Sequence, residues 1–286
     1  MVKYPKVTVV VPTYNAEKTI EILIKSLERL DYPKKRIEAV FVDDESSDKT
    51  RELIGEHKWI TLIKQKHAGP AAARNKGWKK ATGEIVVFTD SDCEVPAEWS
   101  KKIADELEKE DIVGGSLKPA TTYSLAENFE QNRRDRLYGT RRKYVSELPS
   151  CNLAFKKKVL EDIKGFNEVY KRASAEDYDL CSRAVERGYK ILYEPRIYVT
   201  HYHSQNIRGI LRRAYVHGQE IIAYRMAKKS TPTHEFIRSL AKFAAIPYLT
   251  VKRYRVLHIP LGLAYEILSF LGNMKASMQY LVGVRK

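Results

Sequence analysis

Apolar residues gather in four short, nearly unbroken runs near the start of the chain, at residues 7–11, 37–42, 60–63 and 85–88. Runs of this length, rich in β-branched side chains, predict strands covered on both faces. Between the first two, Ile20, Leu23, Ile24, Leu27 and Leu30 recur at helical spacing, with Asn15 as the expected N-cap. A second helix is predicted from Ser47 past Ile54. A third is predicted from Gly69-Pro70 to near Gly83, with proline in its first turn. Strand and helix alternating over this length mean right-handed crossovers and a parallel sheet.

Beyond residue 97 the pattern loosens. A helix over 97–110, a strand at 112–115, a polar and basic stretch over 120–147 and a short strand at 153–155 follow. A helix over 177–187 ends at Gly188, and a strand is expected at 190–193. After about Tyr202 the sequence turns helical and basic, with interrupted apolar stripes. These features divide the chain into a domain over 1–203 and a helical tail over 204–286.

Composition sharpens this picture in three places. The 286 residues are 43% hydrophobic and 30% charged, enough for a large globular core. Cys93, Cys151 and Cys181 are too far apart for a CxxC zinc site, and three such cysteines make no disulfide framework. Residues 1–6 lead straight into VTVVV without the pattern of a signal peptide, so a reducing cytoplasm is the expectation. The net charge of +15 is uneven: residues 201–286 hold 14 Lys and Arg against 3 Glu, or +11. The apolar stretches 240–250 and 256–274 flank Lys252, Arg253 and Arg255 and contain His258, Pro260 and Glu266. This pattern reads as an anchor on an anionic membrane surface, or else as a helical lid, an interface with a second copy, or a hairpin dipping into the bilayer.

In a doubly wound sheet, ligands gather outside the carboxyl ends of the strands. Here those ends read Pro12-Thr13-Tyr14-Asn15, Asp43-Asp44-Glu45-Ser46 and Asp90-Ser91-Asp92. Alternate residues on a strand share a face, so the Asp90 and Asp92 carboxylates point the same way and call for a hard divalent cation, Mg²⁺ or Mn²⁺, bound with a diphosphate. The competing reading is a solvated acidic turn. Tyr14 can stack on a base or simply pack, and Arg74 can reach a phosphate or lie on the surface. Glu176-Asp177-Tyr178-Asp179 holds a candidate base beside ordinary helix-start acids, and His201 and His203 follow a strand-like RIYVT. No GxGxxG follows the first strand, and neither GxxxxGK[ST] nor GxSxG occurs. Dinucleotide cofactors, P-loop NTPases and nucleophile-elbow hydrolases are thereby disfavoured.

Six segments in order carry a resemblance: VVVPTYNAEKTI (9–20), VDDESSDKT (42–50), GPAAARNKGWKKATGEIVVFTDSDCEV (69–95), SCNLAFKK (150–157), GFNE (165–168) and AEDYDLCSRAVERGYKILYEP (175–195) followed by His201. Over residues 5–203 the chain resembles family-2 glycosyltransferases of the GT-A fold. The resemblance implies an α/β fold with a Rossmann-like, mostly parallel sheet flanked by helices, extended here by the basic helical tail. It implies that Thr13, Tyr14, Glu17 and Asp44 hold the base and ribose of a nucleotide sugar, with Asp43 in support. It places Arg74 near the base or diphosphate and Asp90 on ribose or sugar. Asp92 becomes the ligand of Mn²⁺ or Mg²⁺, with Asp90 and His201 near the metal or diphosphate. Asp177 becomes the base, with Glu176 near donor or acceptor.

The implied reaction is an inverting transfer from a UDP- or GDP-sugar to a lipid-linked or glycan acceptor, on the inner face of a membrane. Processive synthases of the family carry QxxRW. Here Gln205-Asn206-Ile207-Arg208-Gly209 lacks the Trp, which points to a single addition. The alternatives are a polyprenyl-phosphate sugar synthase, a nucleotidyltransferase and, from another class, a nucleic-acid-binding protein. The acidic strand ends argue against the last, so no nucleic-acid partner is expected. A second copy as partner stays open.

Overall fold

The four apolar runs form strands β1 (Val7–Thr13), β2 (Ile37–Asp43), β3 (Ile60–Lys64) and β4 (Ile85–Thr89) in a computed structural model. The structure describes residues 4–120, 124–170, 175–202, 206–253 and 258–282. Helices α1 (Ile20–Glu28), α2 (Thr50–Gly55) and α3 (Pro70–Lys80) make the crossovers. All four strands are parallel, in the order β3-β2-β1-β4, with Val7 beside both Ile37 and Ile85. The apolar faces of α1 and these strands close over a core of Val9, Val11, Leu23, Leu27, Phe41 and Val87. Asn15 does not cap α1, whose first residue lies five positions beyond it. Its φ is +48°, and its side chain serves another loop.

The second half of the sheet runs differently. β5 (Cys93–Glu94) follows β4 directly, and α4 (Trp99–Leu107) leads to β6 (Ile112–Pro119). After α5 (Leu125–Tyr138) come β7 (Lys143–Val145), β8 (Asn152–Lys156), α6 (Lys157–Asp162), α7 (Glu176–Glu186) and β9 (Ile191–His201). β8 sits antiparallel between β4 and β6, and β9 lies beyond β6 and carries β5 and β7. The expected strand at 190–193 and the strand-like RIYVT are one element: β9 passes through Pro195, opposite a register shift between Gly114 and Ser116. Proline is tolerated at such an irregularity because the ladder is already broken there. Gly115 permits the close approach, since a Cβ there would fall 1.6 Å from the Ile197 carbonyl oxygen. Asn152 locks the bulge, accepting from Trp99 Nε1 and donating to the Ser116 and Ile197 carbonyls.

The chain divides into two compact units, Met1–Ala120 with Thr140–His203, and Thr121–Gly139 with Ser204–Lys286. The second consists of α5, α8 (Ile207–Ala227), α9 (Pro232–Arg253) and α10 (Ile259–Leu281). Ala126 and Phe129 of α5 pack with Ile210 and Leu261. α8 and α10 approach closely: a Cβ on Gly218 would lie 2.1 Å from the Ser269 oxygen, and one on Gly272 would lie 2.0 Å from that of Tyr215. This unit also buries polar residues and exposes apolar ones. Glu266, Ser269, Asn273 and Ser277 of α10 are buried, while Leu263, Leu271, Met278 and Leu281 of the same helix face outward. Ile237, Leu240 and Phe243 of α9 are exposed as well. Among the described residues, no helix is long and apolar enough to cross a membrane. His203, Gln205 and Arg255, and the side chains of Lys252 and Arg253, lie outside the described residues.

Candidate active site

The site is built where β1, β2 and β4 end. Thr13 and Asp43 are register partners at the ends of β1 and β2. The two loops that follow are laced together. Ser47 N–H donates to Asn15 Oδ1 (2.8 Å), Ala16 N–H to Thr50 Oγ1 (2.7 Å), Glu17 N–H to Asp48 Oδ2 (3.1 Å) and Lys49 N–H to Glu17 Oε2 (3.2 Å). Asn15 and Glu45 both have positive φ, so this lacing holds two residues in a conformation that side chains disfavour. The Glu17 carboxylate thus caps the next loop, and the Thr13 hydroxyl turns inward to the Val42 carbonyl.

Asp44 is buried and saturated. Its Oδ1 accepts from Gln65 Nε2 (2.7 Å) and Ala68 N–H (2.8 Å), and its Oδ2 from Gly69 N–H (2.9 Å). His67 Nδ1 lies 3.0 Å from the same carboxylate. Asp44 therefore fixes the loop that feeds α3. Asp43, also buried, accepts from Ser46 N–H through Oδ2, and its Oδ1 has no hydrogen-bond partner. Tyr14 is half exposed and meets the His67 ring with centroids 4.7 Å apart. His67 belongs to no sequence motif; its position two residues before the Gly69 that opens α3 is its one signal.

Arg74, one turn into α3, is buried rather than on the surface. Its Nη2 donates to Asp90 Oδ1 (2.8 Å) and its Nη1 to Glu176 Oε1 (3.1 Å). Burial disfavours the guanidinium charge, yet Asp90, Asp177 and Glu176 outweigh that cost and hold its pKa above the ordinary value. Asn75, the next residue, accepts from Phe166 N–H and Trp78 Nε1 and donates to the Phe166 carbonyl and Glu168. Gly165, at φ +63°, lets that loop pass against Trp78. Phe166 thereby comes beneath Arg74, its ring centroid 5.5 Å from the guanidinium carbon. The ARN and GFNE segments are thus one structural unit.

Asp177 sits in the first turn of α7. Its Oδ2 accepts from Ser150 N–H (3.0 Å), while its Oδ1 is buried without a hydrogen-bond partner. Burial raises its pKa above the ordinary carboxylate value, Arg74 and the Ser150 N–H pull it down, and Asp90 is an anion that adds to the rise.

The Asp90-Ser91-Asp92 segment is a turn and not a strand. β4 ends at Thr89, and Cys93 N–H closes back on the Asp90 carbonyl (3.1 Å). Two-residue alternation therefore does not apply, and the two acids diverge. Asp90 faces Arg74. Asp92 Oδ1 lies 3.3 Å from His201 Nε2, because β5 pairs Cys93 with His201 and Tyr202 N–H donates to the Asp92 carbonyl. Asp92, Cys93 and His201 bring one donor atom each within 4.8 Å of one another. Burial, helped by Asp90 and Asp92, pushes the Cys93 thiol pKa well above its ordinary value, so it stays protonated. The Asp92 carboxylate and a neutral His201 imidazole fit Mn²⁺ or Mg²⁺ with phosphate co-ligands.

The family description "Glycosyl transferase family 2" matches residues 8–164. The chain belongs to this family. Among curated relatives, the pre-mycofactocin glycosyltransferase of Mycobacterium tuberculosis is 29% identical over 241 residues, covering 79% of this chain and 49% of that protein. Glycosyltransferase AglE of Haloferax volcanii is 27% identical over 203 residues, covering 66% and 64%. The chain spans about half the length of the first of these. Among solved structures, mannosyltransferase PcManGT of Pyrobaculum calidifontis with GDP-Man and Mn²⁺ shares 21% identity at a TM-score of 0.61, covering 100% of this chain and 77% of that one. Residues 1–349 of TarS from S. aureus, in complex with UDP, share 20% identity at a TM-score of 0.57, covering 97% and 92%. These two likenesses show the fold, which is the α/β architecture of GT-A family-2 glycosyltransferases.

Proposed function

We propose that this family-2 chain transfers a single sugar from a nucleotide-diphosphate donor to an acceptor hydroxyl, with inversion. The observation that carries the reading is Asp177. One oxygen is fixed by a backbone N–H, the other is buried with no hydrogen-bond partner, and the pKa is raised. A carboxylate so placed is a stronger base than an exposed one. The acceptor oxygen bonds the anomeric carbon, its proton passes to Asp177, and the bond to the nucleoside diphosphate breaks. Arg74 bonds Asp90 and Glu176, and its charge pulls the Asp177 pKa down against the rise that burial imposes.

Tyr14 and His67 form the aromatic side of the donor site, where a base can stack. Thr13, Glu17, Asp43 and Asp44 shape that side from behind through the bonds described. Asp92 and His201 would hold Mn²⁺ or Mg²⁺, which supplies positive charge against the departing diphosphate. The structures alike in fold that hold UDP, or GDP-mannose with Mn²⁺, support this choice of donor class. For the acceptor, a lipid-linked or glycan molecule at the cytoplasmic membrane surface fits the apolar residues that α9 and α10 expose and the +11 charge of residues 201–286.

Asp177→Asn tests the base. Asn keeps an acceptor for the Ser150 N–H, so donor binding is expected to hold while transfer to a hydroxyl falls by about 10²–10⁴-fold. Full transfer by Asp177→Asn overturns the assignment.

A further inference from the structure

A tryptophan held at the surface stands where β3 begins. β3 runs parallel to β2, so this start lies at the opposite edge of the sheet from Asp43. Trp59 sits on the turn between α2 and β3, which Ile60 N–H closes onto the His57 carbonyl (3.0 Å). A second backbone bond, from His57 N–H to the Ile54 carbonyl (3.1 Å), ties the turn to α2. The ring is tethered as well: Trp59 Nε1 donates to Oε1 of Glu28, the last residue of α1 (3.2 Å). His57 Nδ1 meets the same oxygen at 3.1 Å. Trp59 is nevertheless 41% exposed, whereas Trp78 and Trp99 are buried.

The polar groups beside the ring define what can bind there. An ionised carboxylate only accepts, so the contact with Glu28 places the His57 proton on Nδ1 and leaves Nε2 as an acceptor. Among the described residues, Glu28 Oε2 and His57 Nε2 have no hydrogen-bond partner. Two acceptors thus flank one flat apolar ring. A pyranose matches this arrangement: its C–H face packs on the indole while hydroxyls at its edge donate to Glu28 Oε2 and His57 Nε2. A cation would suit the carboxylate, but the surroundings are positive. Lys34 Nζ donates to the Glu28 carbonyl, and the chain carries +15. A neutral polyol brings no charge to be repelled. Because the turn and the ring are already held, binding orders little that was loose.

We propose that Trp59, Glu28 and His57 bind a pyranose unit of a neutral oligosaccharide, at a subsite separate from the strand-end site. β3, five residues long, lies between Trp59 and Gln65, the residue that bonds Asp44. At about 3.3 Å per residue the two ends stand about 20 Å apart. A single sugar ring does not reach both. The subsite goes beyond the transferase reading and stands without it.

The test titrates the full chain with maltohexaose, cellohexaose and mannohexaose, and with tetramethylammonium chloride as the cationic probe. Trp59 is the exposed indole of the three, so tryptophan emission reports on the subsite directly. Wild type is expected to show a saturable change in emission with at least one hexasaccharide, and calorimetry is expected to return the same Kd. Trp59→Ala is expected to raise that Kd about tenfold or more. Trp59→Phe keeps an aromatic face without the tether and should fall between the two. Glu28→Gln keeps an oxygen for Trp59 and His57 but turns the unpaired acceptor into a donor, and it too should weaken binding. Melting temperatures check that each variant is folded. Absence of saturable hexasaccharide binding in folded wild type, unchanged binding in Trp59→Ala, or binding of tetramethylammonium in place of the sugars overturns the proposal. Metal-dependent donor binding, measured on the same variants, is expected to stay as in wild type and reports the strand-end site separately, so either reading can fail alone.

Discussion

The two units place their charges in opposite ways. In the sheet unit the interior is apolar, and most buried charges stand at the strand ends, where Arg74 meets Asp90 and Glu176 and acts on Asp177, while buried Glu194 and Asp179 pair with Arg196 and Arg183. In the helical unit Glu130, Glu235 and Glu266 are buried, and Leu263, Leu271, Met278 and Leu281 face out. Strands bury polar groups most cheaply where they end, so the charges gathered there make a site. A helical unit that turns apolar stripes outward must satisfy polar groups within, as Arg225 does for Glu235 at 3.0 Å. The first arrangement carries the reaction centre proposed above.

That contrast can be broken from either side. The largest effect is expected from Arg74→Met, which leaves Glu176 buried without its cation. The loss is about 3–5 kcal/mol, and differential scanning calorimetry should show it as a transition lowered by about 10 °C. In the helical unit the sensitive group is His217. Its folded pKa, about 4, lies below the ordinary 6.5 of an unfolded histidine, so the unfolded chain binds the extra proton between those values. Stability present above pH 6.5 is therefore lost as pH falls toward 4, by about 2–3 kcal/mol. Acid titration followed by helix circular dichroism should show this slope in wild type and a flatter one in His217→Gln. A slope unchanged in the variant would move the acid sensitivity elsewhere.

A similar or smaller effect is expected from Gly272→Ala, whose methyl would strike the Tyr215 carbonyl and force α8 and α10 apart. Overpacking of this kind costs about 1–3 kcal/mol; an unchanged melting temperature would refute the close approach. The smallest effect carries the opposite sign. The folded pKa of Asp177 is raised, so the native state holds its proton more tightly than the unfolded chain does. Stability then falls as pH rises from the ordinary carboxylate value through the raised one, and the cost persists at neutral pH. Asp177→Asn removes it, and its melting temperature at pH 7 should exceed that of wild type.

The sheet unit was the more legible of the two because continuous β-branched runs such as residues 7–11 allow few alternatives to a buried strand. The site residues were legible by type and by strand end, but not by partner. Asp90 and Asp92 diverge because β4 stops at Thr89, a boundary that no periodicity marks. Local spacing makes Asn15 a cap, although its partner Ser47 lies in another loop. The basic stretch around Arg133 hides a helix whose partners, Ile210 and Leu261, come from the tail. Sequence pattern reports local period; which loops and helices meet is decided by packing between distant segments.

The account stands on a donor site that needs Asp92. The most direct measurement is a thermal-shift panel of UDP- and GDP-sugars, each with Mn²⁺, Mg²⁺ or EDTA, on wild type, Asp92→Ala and Asp177→Asn. A ligand that binds only the native state raises the melting temperature by mass action. The account predicts a shift with one nucleotide class that requires metal, persists in Asp177→Asn and disappears in Asp92→Ala. Folded wild type that shifts with no donor, or an Asp92→Ala variant that shifts as wild type does, would contradict it.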